Sequence, residues 1–347
     1  MNVPNGITIV GGGLAGLTLG IGLRQRNVPV ILWEAGRYPR HRVCGELISG
    51  RGQGVLSRLG LLDRLRDAGA RRVRTSAFFL HDRLVMSRSL PQPALSLSRY
   101  KLDALLAGAF ENLGGILRCE ARWQGDYLAD SVVRANGRRP RVTRGGCRWF
   151  GIKAHATNLS LVADLEMHFL RNAYVGLCRL SDNVVNVCGF FRRNPEERES
   201  HPSPVHRLQG ESGTLLHARL SSVRWDEASI RAIGGLSLCP GRGGDTGEFS
   251  VGDALTMIAP ATGNGMSMAF ESAELAIEPL MARARDEWTW REAREGMAMR
   301  CNAAFARRLR WSALLQRGLF FKPIRQFVLP AAVKTGLGWK FLFHLTR

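Results

Sequence analysis

The sequence predicts an α/β fold with three parts: a parallel-sheet unit of the dinucleotide-binding type, an antiparallel β-sheet unit, and a helical basic tail. Three observations predict it. A β-branched run leads straight into a glycine cluster near residue 10, four β-rich runs follow one another between residues 149 and 191, and residues 296–347 join Lys and Arg to apolar side chains at helical spacing.

The first part starts with Ile7-Thr8-Ile9-Val10, a short β-branched run of the kind buried on both faces of a parallel sheet. Gly11-Gly12-Gly13-Leu14-Ala15-Gly16 follows directly and fits G-x-G-x-x-G. Leu17 to Arg26 then reads as a helix ending near Asn27, and Val28 to Trp33 as a second strand closing on Glu34. The three motif glycines serve different ends. Gly11 permits the tight turn, Gly13 lets backbone N–H groups approach a pyrophosphate, and Gly16 allows the helix to pack closely on the strand. Glu34 stands where an acid accepts hydrogen bonds from a ribose hydroxyl.

Composition narrows the partners. The 347 residues are 45% hydrophobic with no recurring period, which indicates an ordinary globular core rather than a repeat protein. The net charge of +20 rests on 44 Arg and 5 Lys. A basic chain suits nucleic acid, an anionic membrane or an acidic cofactor. With no zinc-ligand spacing, aromatic RNA-binding signature or basic zipper, nucleic acid is not the expected partner. Seven cysteines without a Cys-x-x-Cys pair argue against a disulfide framework and against a structural metal site. Met1 to Val10 lacks the basic region of a signal peptide, and no stretch reaches the roughly 18 apolar residues that span a bilayer. The expectation is a cytoplasmic protein with reduced thiols, at most peripheral to a membrane.

Dinucleotide units of this kind hold NAD and FAD alike, so the far end of the chain decides. Ser250-Val251-Gly252-Asp253-Ala254 is followed by Ile258-Ala259-Pro260-Ala261-Thr262-Gly263-Asn264-Gly265 and a helix pattern from Met266 to about Arg285. These segments resemble the flavoprotein family of aromatic hydroxylases (p-hydroxybenzoate hydroxylase-like), geranylgeranyl reductases and flavin halogenases. The resemblance implies a Rossmann-like, glutathione-reductase-like domain binding FAD without a covalent link. It places Gly252 and Asp253 at the ribityl chain and the turn of Pro260, Gly263, Asn264 and Gly265 against the flavin ring. The turn also suits an anion physically, because Gly263 and Gly265 expose N–H groups at a helix start, where the dipole favours negative charge.

Two middle segments extend the likeness. Ser98-Arg99-Tyr100-Lys101-Leu102-Asp103 is similar to the family's Arg-x-x-Leu-Asp segment, which implies that Arg99 reaches the cofactor. Ala129 to Gly137 looks like the strand that ends in Ala-Asp-Gly, but Asn136 replaces the aspartate and Pro140 a common serine. A contact through that aspartate is therefore not carried over. The region from Gly114 to Gly137 is short, so a trimmed β-meander is expected. The resemblance spans residues 6 to about 285 and is weakest over 114–150 and 193–235.

For the chemistry, Arg40-His41-Arg42-Val43-Cys44-Gly45-Glu46 resembles the family's Cys-Gly-Glu segment beside the isoalloxazine. Cys44 then either tunes the flavin or touches substrate, or is a small apolar residue in a loop, while Arg42 is placed to neutralise FAD phosphate. The β-rich runs Trp149 to Ala156, Leu161 to Phe169, Tyr174 to Leu180 and Val184 to Phe191 form the antiparallel sheet. Lys153 and His155 share one of its faces, as do Glu166 and His168. If that face lines the flavin cavity, His155 moves protons and Lys153 orients an anionic or phenolic substrate; otherwise it is a solvated face. The domain layout is a first cofactor segment at 1–147, the substrate sheet at 148–235, a second cofactor segment at 236–285 and the tail at 286–347.

Three activities share this scaffold. Trp288-Thr289-Trp290 is followed by Arg291-Glu292, unlike the halogenases' Trp-x-Trp-x-Ile-Pro, and Tyr174-Val175-Gly176-Leu177-Cys178 keeps only the tyrosine of the reductases' Tyr-x-Trp-x-Phe-Pro. The resemblance thus implies first an FAD-dependent monooxygenase. It would hydroxylate an aromatic, polyketide-like or lipid-like small molecule through a flavin hydroperoxide, with NADH or NADPH as electron donor. Reduction or dehydrogenation of a carbon–carbon bond is the alternative, and a non-catalytic flavin-binding module lies outside that class. Residues 296–347 hold ten Lys or Arg and no Asp or Glu. This tail docks on an anionic bilayer, with Arg307, Arg308 and Arg310 at the lipid side, closes over a greasy substrate, or packs its apolar face on the core.

Overall fold

The computed structural model describes residues 6–80, 82–138, 148–193, 203–236, 241 and 243–346. Pro140 lies outside them. In chain order the N-terminal half runs β1 (Ile7–Val10), α1 (Leu14–Arg24), β2 (Val30–Trp33), β3 (Leu47–Ile48), α2 (Arg51–Arg58), α3 (Leu62–Asp67), β4 (Arg71–Leu80), β5 (Arg83–Ser96), α4 (Arg99–Asn112), β6 (Ile116–Arg118) and β7 (Val132–Arg134). It continues with β8 (Arg148–Thr157), β9 (Leu165–Phe169), β10 (Ala173–Arg179), β11 (Val185–Arg193), α5 (Pro204–Gln209), α6 (Leu215–Leu220), β12 (Arg224–Ile233) and β13 (Phe249–Ser250). The helices α7 (Gly265–Ala284), α8 (Trp290–Leu319), α9 (Leu329–Lys334) and α10 (Gly336–Leu345) close the chain.

Five strands make a parallel sheet in the order β13-β7-β1-β2-β6. Its β-branched strands are buried on both faces, as a parallel sheet requires; α1 and α4 pack on it and α7 packs on α1, with Leu17, Ile21, Phe110 and Phe270 in the shared core. α1 stops where Asn27 turns left-handed at φ 61, a conformation asparagine tolerates. Between β6 and β7 the chain forms no strand, so the expected β-meander is indeed trimmed.

The larger sheet has eight strands in the order β12-β8-β11-β10-β9-β4-β5-β3. Strands β8 to β11 pair antiparallel in the four expected runs. Two features differ from the expectation. The sheet is mixed, because β4 runs parallel to β9. It also takes in residues 71–96, which the sequence pattern groups with the cofactor segment. Their β pattern is masked by exposed arginines, by Pro91 and Pro93 inside β5, and by two register shifts in the β4–β5 ladder. One sheet face packs on α5 and α6 through Ile152, Val175, Val187, Leu208 and Leu216. The other face looks back toward the parallel sheet, and the site lies between them.

The tail is helical as expected, but its basic residues do not share one surface. Arg308 is buried and grips Glu271 of α7 through two bonds of 2.8 and 2.6 Å. Arg325 is buried as well, donating to the carbonyls of Leu170 and Arg171. These two hold the tail to the body, because their guanidinium groups are buried on acceptors within the chain and so are not offered to a lipid surface. No helix among the described residues is long and apolar enough to cross a membrane.

Candidate functional site

A cavity of about 1190 Å³ separates the two sheets. Its first end is built by the glycine turn after β1. Gly11 has φ 115, and a Cβ there would lie 2.4 Å from the carbonyl oxygen of Ala135. A Cβ on Gly16 would lie 2.0 Å from the Gly11 oxygen. Both positions exclude side chains for internal reasons. Gly13 differs: nothing lies within 4 Å of where its Cβ would be, and it borders the cavity. It is the N-cap of α1 and supplies no side-chain cap, so first-turn N–H groups stay available to an anion.

Glu34 stands at the end of β2 in the cavity wall. Its carboxylate accepts from the N–H of Gly12 at 2.9 Å and of Gly36 at 2.8 Å, and pairs with Arg40 at 2.6 Å. Burial works against its charge, but the bonds from Arg40 and Gly36 outweigh that and hold the carboxyl below its ordinary range. Arg42 and Arg99 also line the cavity, and one buried carboxylate sets both. Asp103 takes Arg99 in a bidentate pair at 2.7 and 2.8 Å and Arg42 at 3.2 Å. α4 makes this possible by placing Arg99 and Asp103 one turn apart, with Ser98 capping its N-terminus.

Gly252 and Asp253 form a 3₁₀ turn after β13. Gly252 has φ 62, and a Cβ there would press on Ala15 at 2.8 Å. The Asp253 side chain is open to the cavity space while protein encloses that space. This enclosure raises its carboxyl pKa, and Arg99 and Arg138 oppose the rise. Pro260 opens a second 3₁₀ turn that ends at Gly263 in the left-handed region, φ 62, before Gly265 starts α7. Pro260, Gly263 and Gly265 border the cavity. Asn264 is buried and turned away from it, donating to the carbonyl of Thr346 at 2.8 Å.

The structure brings Cys44, Lys153 and His155 together through Glu46, a residue to which the sequence pattern assigns nothing. Glu46 is fully buried at φ 56, a strained conformation for a non-glycine residue. Its carboxylate accepts from His155 Nε2 at 2.8 Å and from the backbone N–H of Arg99 at 2.9 Å, and lies 3.4 Å from Lys153 Nζ. Burial opposes its charge; His155 and Lys153 overcome this and hold the carboxyl low. Lys153 Nζ also sits 3.1 Å from His41 Nδ1. Burial, Lys153 and His155 bring His41 down to about 4, so its ring is neutral at physiological pH.

Lys153 and His155 therefore share a sheet face, as expected, and that face does look on the cavity through Gly151, Tyr174 and Cys178. Neither borders the cavity itself, because segment 41–46 covers them. Glu166 and His168 point to the opposite face, where Glu166 pairs with Arg219 at 2.7 Å and His168 stacks on Phe79. Cys44 does border the cavity. Burial raises its thiol pKa, with Arg99 opposing, so it remains a neutral thiol near pH 7. His41, His155 and Asp226 bring one donor atom each within 4.8 Å. Lys153 beside His41 puts a cation there already.

These residues fit a dinucleotide flavin: a glycine turn open to the cavity, arginines over it, and an aspartate and a second glycine turn at the other side. Residues 6–173 match the family described as FAD binding domain. This agrees with the resemblance read from its motifs. No curated protein matches the sequence. Among solved structures, the flavin-dependent brominase Bmp2 aligns with a TM-score of 0.77 at 14% identity, covering 98% of this chain and 92% of that one. The p-nitrophenol 4-monooxygenase PnpA from Pseudomonas putida DLL-E4 aligns at 0.75 and 16%, covering 100% and 99%. PqsL of P. aeruginosa in complex with 2-aminobenzoylacetate aligns at 0.70 and 15%, covering 92% and 97%. These likenesses are of fold.

The far end of the cavity has another character. Side chains from β4, β9, β10, β11 and α8 to α10 line it, including Phe78, Met167, Tyr174, Phe190, Trp339 and Phe343, and none of those elements contributes a charge. Burial raises the pKa values of Tyr174, Cys178 and Cys188, so all three stay neutral. Trp288 and Trp290 take no part in this wall: Thr289 caps α8 in a capping box with Glu292, and Trp290 stacks on Phe249 at 5.1 Å.

Proposed function

We propose that the chain is an FAD-dependent monooxygenase acting on an uncharged hydrophobic or aromatic small molecule, with NADH or NADPH as the electron donor. One observation carries the reading: a single cavity joins a glycine-and-arginine end to an end with no charged side chain. An ionised substrate would lose its hydration at the far end and find no counter-charge there, whereas an apolar or aromatic one gains by burial. The domain family supports a flavin reaction, and a fold shared with PnpA and PqsL supports monooxygenation.

FAD, when bound, supplies the redox chemistry and the activation of oxygen. Gly13 and the start of α1 would hold its pyrophosphate with Arg42 and Arg99 nearby, Glu34 a ribose, Asp253 the ribityl chain, and the Pro260–Gly265 turn the ring. The other residues position and exclude. Lys153 and His155 act through Glu46 and fix segment 41–46, so that Cys44 meets the cavity as a neutral thiol. Aromatic side chains keep water from the far end. The reading also includes peripheral contact of the tail with an anionic membrane.

The test supplies NADH or NADPH, labelled dioxygen and a panel of uncharged alkylphenols and anilines. A product carrying one labelled oxygen atom is expected. A product formed without oxygen, with a carbon–carbon bond reduced, would establish the reductase reading instead.

A further inference from the structure

We infer that the segment from Leu314 to Leu345 docks on an anionic lipid surface, and that a lipophilic substrate passes from the bilayer into the cavity at α10. This rests on the reading of the far end as the substrate site. The first observation is where apolar surface remains. Fifteen large hydrophobic side chains are exposed among the described residues, and seven of them lie between Leu314 and Phe341. Leu337 is 84% exposed, Phe327 72% and Phe341 61%, values at which a phenylalanine or leucine leaves most of its surface to solvent.

The second observation is the charge around them. Arg317, Lys322, Lys334 and Lys340 are all exposed in the same stretch, which contains no Asp or Glu. Apolar side chains interleaved with cations and free of acids match a bilayer interface, where rings enter the acyl boundary and ammonium groups meet phosphate. A protein partner would need an acidic surface with apolar sockets, and a second copy of this chain brings the same positive charge and repels it.

The third observation joins this surface to the site. α10 is one helix thick, and its two sides face different worlds. Leu337, Lys340 and Phe341 are exposed, while Trp339, Leu342 and Phe343 line the cavity. Lipid and substrate site are thus separated by a single helix of about 10 Å diameter. Polar ties between α10 or the residue after it and the body include the bond from Trp339 Nε1 to the Ser89 carbonyl at 3.2 Å and the bond from Asn264 to the Thr346 carbonyl. Gly336 and Gly338 stand at its start, after Thr335 in extended conformation. Displacement of α10 opens the cavity toward the side where the apolar surface lies, and a molecule dissolved in the membrane enters without crossing water.

The experiment has two arms on the FAD-loaded full chain. In the first, the protein is sedimented with vesicles of phosphatidylcholine plus phosphatidylglycerol, or of phosphatidylcholine alone. Binding to the anionic vesicles at low salt, lost in high salt, is expected. Lys322→Gln with Lys334→Gln and Lys340→Gln should weaken it on the order of a hundredfold. Phe327→Ser with Phe341→Ser should also weaken it, with FAD content unchanged in both variants. In the second arm, 4-nonylphenol in anionic vesicles and 4-ethylphenol in water are each mixed with the protein, and the flavin spectrum is followed. Nonylphenol should perturb the spectrum at least tenfold more slowly in either variant, and ethylphenol at an unchanged rate. Failure to bind anionic vesicles at low salt overturns the docking surface, as does wild-type self-association that the phenylalanine variant abolishes. Vesicle binding with equal nonylphenol rates in all proteins overturns the route. If neither phenol perturbs the flavin, the substrate reading falls while the sedimentation arm still decides the surface.

Discussion

The two ends of the cavity are built on opposite principles. At the cofactor end, glycines remove side chains and several charges are paired: Glu34 with Arg40, Arg42 and Arg99 with Asp103, Glu46 with His155 and Lys153. At the far end, side chains are large and none is charged. Paired charges hold atoms in fixed places, as a dinucleotide requires, whereas an apolar wall selects by volume and polarity and is free to vary. The cofactor end therefore leaves a mark in the sequence, and the far end leaves almost none.

The largest effect expected at the cofactor end separates three glycines of one motif. Gly16→Val drives a side chain into the Gly11 carbonyl and should prevent folding, read as insoluble protein. Gly13→Val meets no protein atom, so it should fold with a native circular dichroism spectrum yet bind FAD over a hundredfold more weakly. If Gly13→Val keeps full flavin, the pyrophosphate site lies elsewhere.

Next in size is the pair that joins α8 to α7. Arg308→Met leaves Glu271 buried without its partner, and breaking such a pair costs about 3–5 kcal/mol. Urea titration should show that loss. A change near zero would return Arg308 to the exposed basic face that the sequence suggested.

The segments that the sequence singles out are those in which contiguous backbone forms a turn. G-x-G-x-x-G, the Gly252-Asp253 turn and the Pro260–Gly265 turn are local, because N–H groups aimed at an anion come from neighbouring residues. Glu46 was visible in the Cys-Gly-Glu segment, but its partners lie on β8 and α4, more than fifty residues away in sequence. Its role follows from long-range geometry alone. Arg308 was misplaced for a related reason: charge in a helical repeat does not say which arginine faces a buried carboxylate. The far wall draws on seven elements, each contributing a few apolar residues that any core would also use.

A smaller effect tests the assignment of the ribityl end. Asp253→Ala should weaken FAD binding by roughly 1.5–3 kcal/mol, the range for a hydrogen bond to a charged group. Unchanged affinity by flavin fluorescence titration would remove Asp253 from the site.

The smallest effect is in pH dependence. His41 is held down to about 4 against an ordinary 6.5, so the unfolded chain takes up a proton in this window that the folded chain refuses. Stability should fall as pH drops from 6.5 toward 4. Glu46, held below its ordinary 4.5, adds a further loss below that value. His41→Asn should flatten the melting temperature between pH 6.5 and 4; an unaltered slope would mean that His41 is not held neutral.

The contrast between the two ends is tested most directly by placing a charge at the apolar one. Met167→Asp puts a carboxylate in the far wall and leaves every cofactor contact in place. The measurement is flavin content together with the change in flavin absorbance on titration with 4-ethylphenol. The account predicts one FAD per chain, as in the wild type, and no response to the phenol. Loss of FAD, or a phenol response equal to that of the wild type, would contradict it.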